Sequence, residues 1–305
     1  MPDQTSPYTG RFAPSPSGPL HFGSLVAALA SFLDARKSGG RWLIRIDDID
    51  PPREMPGAGD LILHTLEQHG LTWDGDVLWQ SSRSEAYLAH LEELTQLGLI
   101  YPCSCTRQHI KAMGGIYNGQ CRQGAENKAE LALRLKLYDL PGSLTSLPHQ
   151  VRFIDSIQGE QVQDLALEVG DAVVRRKDGL FGYQLAVVLD DLHQGVTHIV
   201  RGADLLPVTA RQIRFFEILH KSIPAYSHVP VAAINGLKLS KQNHAPALNN
   251  ADATINIWRA LVFLRQNPPQ ELQRTSLTTL LTWAQTHWDK EVLKGAGQIL
   301  PLTPS

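Results

Sequence analysis

Residues 8–48 alternate in a way that admits few folds. "YTGRFA" has the texture of a short strand, and "RFAPSPSGPLHFGS" (residues 11–24) is a Pro/Gly-rich loop. Residues 22–38 are apolar at helical spacing until Gly39-Gly40 stops them, and "RWLIRIDD" is a second strand. Strand, loop, helix, strand predicts a βαβ unit with parallel pairing, a right-handed crossover and a ligand site beyond the carboxyl ends of the strands. The polar residues after each strand fall at those ends.

Further on, helical patterns cover about 57–69 and 83–98, and from Tyr101 to about Val169 the texture changes to Cys-bearing turns and short runs such as "LALRLKL". That stretch is read as an insertion. Alternating apolar strands resume at "DAVVRRKDG", "YQLAVVL" and "VTHIVRG", followed by a helix at 209–221. From about 250 the pattern is helical, carried by Trp258, Leu261, Leu264, Leu277, Leu280, Leu281 and Trp283. The expectation is an α/β fold: a Rossmann-type parallel sheet split as 8–100 and 170–222, an insertion at 101–169, and a loop plus helical C-terminal subdomain at 223–305.

Apolar residues make up 43% and charged residues 19% of the 305, the composition of a globular protein with a real core. No apolar run approaches a membrane span, the N-terminus lacks the features of a secretory signal, and three cysteines cannot build a disulfide framework. A reducing cytoplasm is the expected setting. Lys+Arg 28 against Asp+Glu 30 leaves a net charge of −2, so overall charge does not point to nucleic acid, although local basic patches can.

A Pro/Gly loop that delivers its chain to a helix N-terminus makes an anion site, because free backbone N–H groups and the helix dipole both favour negative charge. Gly18 and Gly23 let the backbone approach a ligand, prolines 14, 16 and 19 stiffen the loop, and His21 and Ser24 supply hydrogen-bonding groups at the helix start. Taken alone, an ordinary loop with an N-cap serine accounts for it about as well. Far along the chain, "GLKLSKQ" (236–242) places Lys238 and Lys241 around Ser240, which by itself is a solvated charge pair.

Together, the His21-Phe22-Gly23-Ser24 and Lys238-Leu239-Ser240-Lys241-Gln242 segments resemble the two signatures of class I aminoacyl-tRNA synthetases. "RFAPSPSGPLH", "RIDDID" with "PPRE", "WQSSR" and "GYQLAVVLDDLHQGVTHIVRGADLL" are similar to the glutamate-specific branch. Within that branch "RIDDIDPPRE", "DGLFGYQLAVV" and "KLSKQNHAPAL" resemble a truncated paralogue group that lacks the large anticodon-binding region and glutamylates queuosine in aspartate tRNA. The resemblance implies activation of glutamate by ATP with Mg²⁺, then transfer to the queuosine base in the anticodon of tRNA(Asp). It implies His21 and Lys241 as catalytic residues, and Gly18, His21, Gly23, Ser24, Lys238, Ser240 and Lys241 as the ATP site. It also implies Arg11, Ala13, Ser15, Asp47, Tyr183 and Arg201 as the glutamate site, with Asp47 standing where the family usually has Glu. Rival readings are a short glutamyl-tRNA synthetase charging tRNA 3′ ends and an inactive tRNA-binding paralogue.

Cys103, Cys105 and Cys121 cluster within the insertion, which suggests zinc and requires a fourth ligand. By ordinary ligand chemistry that is His109. The family pattern gives Tyr117 instead, and a structural role for the metal. Arg107, Lys111, Arg122, Lys128, Arg134 and Lys136 concentrate positive charge in the same stretch, compatible with contact to a phosphate backbone, although a solvated face accounts for most of them.

Overall fold

The computed structural model describes residues 7–126, 130–139, 147–234, 237–238 and 246–301, the side chains of residues 234, 237, 238 and 301 excepted. The chain begins with strand β1 (Thr9–Phe12), helix α1 (Phe22–Lys37) and strand β2 (Arg41–Ile46), followed by α2 (Ala58–Gln68), β3 (Leu78–Trp79) and α3 (Ser84–Gln96). Next come β4 (Ile100–Cys103), the short α4 (Arg107–Ala112), β5 (Ala132–Leu135), the hairpin β6 (Gln150–Asp155) and β7 (Gly159–Asp164), and β8 (Ala172–Arg175). The remainder is α5 (Tyr183–His193), β9 (His198–Gly202), α6 (Leu206–Ile218), β10 (Ala225–Val229), β11 (Val231–Ile234), β12 (Leu237–Lys238), α7 (Ala253–Phe263), α8 (Leu277–His287) and β13 (Ile299–Pro301).

The βαβ expectation holds: β1 pairs parallel with β2, and β2 with β3. On the other side β9, β10 and β6 are parallel neighbours, with β7 antiparallel at the edge. The two halves meet where β1 lies beside β9, joined by Thr197 N–H to Thr9 O (2.9 Å) and Thr9 N–H to Thr197 Oγ1 (2.9 Å). Here the direction of strand progression reverses, which leaves a crevice at the carboxyl ends of β1 and β9.

Helix α1 is buried on nearly every face, from Leu25 to Ala35. A helix apolar all round is a core element, and α1 packs on β1 and β9 on one side and on α7 and α8 on the other. The C-terminal helices thus share one core with the first βαβ unit. Buried Asp34 ties them, accepting from the Tyr8 hydroxyl (2.8 Å), Trp288 Nε1 (3.1 Å) and Lys290 Nζ (3.1 Å).

Two expectations change. "YQLAVVL" is not a strand but the first two turns of α5. A short, mostly apolar run reads equally as a buried strand or a buried helix, and the helix-favouring Gln, Leu and Ala with Gly195 beyond the end decide it. The insertion boundary also shifts: β8, expected in the main sheet, instead forms an antiparallel sheet with β4 and β5, whereas β6 from within 101–169 joins the main sheet beside β10.

Replacing Asp34 with Ala leaves three donors without their acceptor, two of them in the core. The expected loss is about 3 kcal/mol of unfolding free energy, measured by urea denaturation. A loss under about 0.5 kcal/mol, the range of an ordinary surface substitution, would show that α1 and the C-terminal helices are held by apolar packing alone.

Candidate functional site

A cavity of about 430 Å³ opens at the crevice, bounded by the end of β1, the loop 13–24, the start of α1, and the ends of β9 and β10. Arg11, Ala13, Ser15, His21, Gly23, Ser24, Tyr183 and Arg201, all named from the sequence, line it. So do Ser17, Asp204, Val231 and Ala232, which the sequence did not single out. Gly18 takes φ +143°, a conformation open to glycine, and turns the loop toward α1.

The start of α1 is capped by an imidazole. His21 Nδ1 accepts from Ser24 N–H (3.3 Å), and the Ser24 hydroxyl lies 3.1 Å from Nε2. Ser24 thereby fixes the ring that the loop presents to the cavity. Ala247 forms an antiparallel bridge with His21, and Leu248 N–H bonds Leu20 O (3.0 Å). Strand β12, with Lys238 in its backbone, pairs with β11, whose Val231 and Ala232 line the cavity. Both flanks of segment 239–245 are therefore at the cavity; Ser240 and Lys241 lie outside the described residues, as does the Lys238 side chain.

Beneath the cavity lies a buried charge array. Asp191 of α5 accepts from Arg11 Nε (3.1 Å) and from Arg45 Nη1 (2.6 Å), while Arg45 Nε donates to Asp47 (2.8 Å). Exposure of the four side chains is 5% or less. Burial opposes ionisation of Asp191, but the two arginines outweigh it and hold its carboxyl below the usual range. Burial wins at Asp47 despite Arg45, pushing its carboxyl up to about 6. Asp47 is turned to Arg45 and does not reach the cavity wall. Sequence reasoning missed Arg45 and Asp191, because Asp190-Asp191 sat at the end of a run taken for a strand.

Arg201, on β9 beside β1, lines the same cavity. Its Nε donates to His228 Nε2 (3.0 Å) and its Nη2 to Thr209 Oγ1 (2.8 Å). Nη1 is buried with no hydrogen-bond partner among the described residues, and so is the hydroxyl of Tyr226, whose ring lies 5.4 Å from the guanidinium. Burial lowers the pKa of Arg201 and raises those of Tyr183 and Tyr226. A buried cation with one unpartnered nitrogen, in the same cavity lining as Arg11, is suited to an anionic group.

Away from the crevice, the sulfurs of Cys103, Cys105 and Cys121 lie within 4.8 Å of one another, the one such group among the described residues. Cys105 and Cys121 are 3.5 Å apart, close to the roughly 3.8 Å that two thiolates keep on a tetrahedral zinc. Tyr117 is buried with them, and its hydroxyl accepts from Cys121 N–H (2.9 Å). Burial opposes ionisation of Cys121, yet hydrogen bonds from Tyr117 and the Ser104 backbone bring it down to about 7. The donor set fits zinc. His109, by contrast, is exposed on α4 and outside the group.

The basic residues of this region divide. Arg122 is bidentate to buried Asp171 (2.6 and 2.5 Å) and stacks on Tyr138. Arg134 is buried, donates to Cys103 Sγ (3.2 Å) and Asp171 O (2.7 Å), and lies over the Tyr117 ring. These two hold the cysteine region together and are not part of a solvated basic face. Lys136 binds Gly98 O (2.7 Å), Lys128 lies outside the described residues, and Arg107 and Lys111 are exposed.

Residues 8–253 match the catalytic domain of tRNA synthetases class I (E and Q). A glutamyl-Q tRNA(Asp) synthetase of Serratia proteamaculans is 52% identical over 94% of this chain and 92% of its own. One of Pseudomonas aeruginosa is 51% identical over 93% and 94%. Among solved structures, a glutamate tRNA ligase from Elizabethkingia meningosepticum superposes with TM-score 0.77 at 22% identity, covering 96% of this chain and 67% of that one. Among the described residues no helix is long and apolar enough to cross a membrane.

The raised Asp47 carboxyl has a signed consequence. Its folded pKa of about 6 exceeds the unfolded value of 3.8, so the folded state binds the proton more tightly. Stability from this group is complete below about pH 4 and is lost as pH rises through about 6. Relative to Asp47→Asn, the natural protein should lose on the order of 2–3 kcal/mol between pH 4 and 7, read from urea unfolding at each pH. Parallel curves for the two proteins would show that Arg45 fully offsets the burial.

Proposed function

The chain belongs to the class I tRNA synthetases, in the branch for glutamate and glutamine, and is an ATP-dependent ligase; on that premise we propose that it activates glutamate and transfers it to the queuosine base in the anticodon of tRNA(Asp). The observation that carries the substrate is the pair of buried arginines lining one cavity, Arg11 and Arg201, the latter with an unpartnered nitrogen. The names of relatives at about 50% identity over nearly their whole length support the acceptor.

On this reading Arg11, Ser15, Tyr183 and Arg201 receive glutamate, with the Ala13 backbone beside it. Asp47 acts from beneath, by setting Arg45 and so the array that fixes Arg11. Gly18, His21, Gly23, Ser24 and the N-terminus of α1 receive the phosphates of ATP with its Mg²⁺. A glutamate carboxylate oxygen attacks the α-phosphorus in line, the bond to the bridging oxygen breaks, and pyrophosphate leaves with its electron pair. The chain's work is positioning and charge stabilisation. His21 supplies a fixed ring at the phosphates. Lys238, Ser240 and Lys241 would meet the charge on departing pyrophosphate, a role supported by the residues on either side of 239–245, which lie at the cavity. The glutamyl group then passes to the queuosine base, releasing AMP.

The proposed division is a catalytic domain of 8–100 with 170–222, a zinc-bearing insertion at 101–169, and a loop with helices at 223–305, adjusted so that the β6–β7 hairpin goes with the catalytic sheet and β8 with the insertion's sheet. Cys103, Cys105, Tyr117 and Cys121 would hold zinc, which supplies cross-linking to a region with little core of its own.

Glutamate should drive exchange of labelled pyrophosphate into ATP without tRNA, and His21→Ala should slow it about a hundredfold. Labelled glutamate should reach tRNA(Asp) bearing queuosine and not its queuosine-free form. Charging of a tRNA 3′ end would favour the short glutamyl-tRNA synthetase, and absence of exchange would favour an inactive binding protein. Elemental analysis should find one zinc per chain, lost in Cys121→Ser, with faster proteolysis confined to the cysteine region. A zinc-free natural protein would remove the metal assignment.

A further inference from the structure

Behind Arg201 lies a second layer of groups that the reaction above does not use. Asp155 at the end of β6 is fully buried, and its Oδ1 accepts three backbone N–H bonds, from Ile157 (3.0 Å), Gln158 (2.8 Å) and His228 (3.1 Å). Its Oδ2 lies 2.6 Å from His228 Nδ1. On the far side of the ring, His228 Nε2 faces two groups: Arg201 Nε at 3.0 Å and Thr209 Oγ1 at 3.1 Å. Arginine can only donate, so Nε2 is an acceptor and Nδ1 carries the proton, given to Asp155. Burial and the neighbouring guanidinium lower the pKa of His228 and keep the ring neutral, which this arrangement requires.

We propose that Asp155 and His228 form a positioning relay that orients Arg201, leaving its Nη1 open for the carboxylate of an acidic amino-acid substrate. The choice of glutamate as that substrate rests on the function proposed above; the relay itself does not. Arg201 Nε is fixed by His228 and Nη2 by Thr209, with a longer bond to Leu205 O (3.5 Å), so the plane of the guanidinium is set and Nη1 remains unpartnered. A pre-oriented donor loses less freedom on binding an anion than a mobile one. Asp155 touches no part of the cavity and acts through the histidine.

The three backbone bonds to Oδ1 make Asp155→Asn a clean test. In the variant the amide oxygen stays with the three N–H groups, because the amide nitrogen cannot accept them. The NH₂ then faces His228 Nδ1 and donates to it. The ring must shift its proton to Nε2, where an N–H now meets the N–H of Arg201. Backbone contacts survive while the last link is inverted.

Nitrogen-15 NMR of histidine- and arginine-labelled full-length protein reads both links without substrate. The expected result is a neutral Nδ1–H ring and a hydrogen-bonded Arg201 Nε–H in the natural protein, and an Nε2–H ring with the Arg201 resonance shifted in Asp155→Asn. In pyrophosphate exchange, the KM for glutamate should rise about tenfold or more while the KM for ATP stays within about twofold. His228→Gln, whose amide oxygen can accept from Arg201, should recover part of the loss, and His228→Leu none. An Nε2–H ring in the natural protein overturns the relay, as does an inverted tautomer with unchanged KM for glutamate. If the natural protein ignores glutamate but shows the expected resonances, the substrate reading falls and the relay stands. Should Asp155→Asn misfold, the His228→Gln and His228→Leu pair carries the same comparison, and equal KM values in the two refute it.

Discussion

One carboxylate, Asp191, is shared by two buried guanidiniums, and the site exists because of that sharing. Arg11 comes from β1, Arg45 from β2 and Asp191 from α5, so three elements distant in sequence must be in place together. Taking such charges out of water costs several kcal/mol per ion, and that cost is offset only when each finds its partner. With Asp47 ionised the array is neutral, two arginines against two aspartates. Removing Asp191 leaves two buried guanidiniums facing one carboxyl, whereas the charge of Asp47 can be taken up by a proton, as its raised pKa shows. The same requirement that makes the array costly also keeps Arg11 from wandering, since its guanidinium is held from below while its edge faces the cavity.

Much of this was legible in the sequence, and the reasons for the rest are specific. The first βαβ unit carried period and punctuation strong enough to place β1, α1 and β2 within a residue or two. The loop between them pointed to a cavity only when read with the Lys238–Lys241 segment, because Pro, Gly and His at a helix mouth also suit an ordinary capped loop. What failed was the reading of short apolar runs. Residues 183–189 are apolar but for Gln184, and no period separates a buried strand from a buried helix over seven residues. Taking them for a strand hid Asp191, which only a helix carries back under β1 and β2. The basic residues of the cysteine region misled differently, since charge in a sequence does not reveal its partner. Asp171 sits 37 residues from Arg134 and 49 from Arg122, and it turns both into core residues.

The two arginines of the cavity are held on different principles. Arg11 is held by an opposite charge, and Arg201 by neutral acceptors, an imidazole and a hydroxyl. Without a carboxylate bonded to it, Arg201 remains an under-compensated buried cation, and its pKa is lowered for that reason. An incoming carboxylate therefore gains more at Arg201 than at Arg11, where Asp191 already absorbs most of the field. Arg11 defines position and Arg201 supplies the unmet charge, a division that favours ligands carrying a negative group at the Arg201 end.

Tyr183 shows how the cysteine region bears on that geometry. Asp171 joins Arg122, the Tyr101 hydroxyl and Leu137 N–H immediately before β8 begins. Strand β8 then runs to Arg175, and Gly182 N–H returns to Val174 O (2.8 Å) just ahead of α5. A Cβ on Gly182 would fall 2.1 Å from Val173 O, so only glycine lets the chain lie this close against the strand. Tyr183 follows directly and is both the first residue of α5 and part of the cavity wall. The start of α5 is therefore clamped to β8 and its Asp191 end to the arginines, fixing the helix at two points about two turns apart. A helix held at one end pivots, whereas one held at both keeps Tyr183 and Asp191 in a constant relation. The ordered cysteine region is what gives β8, and through it the first of those two points, something rigid to be attached to.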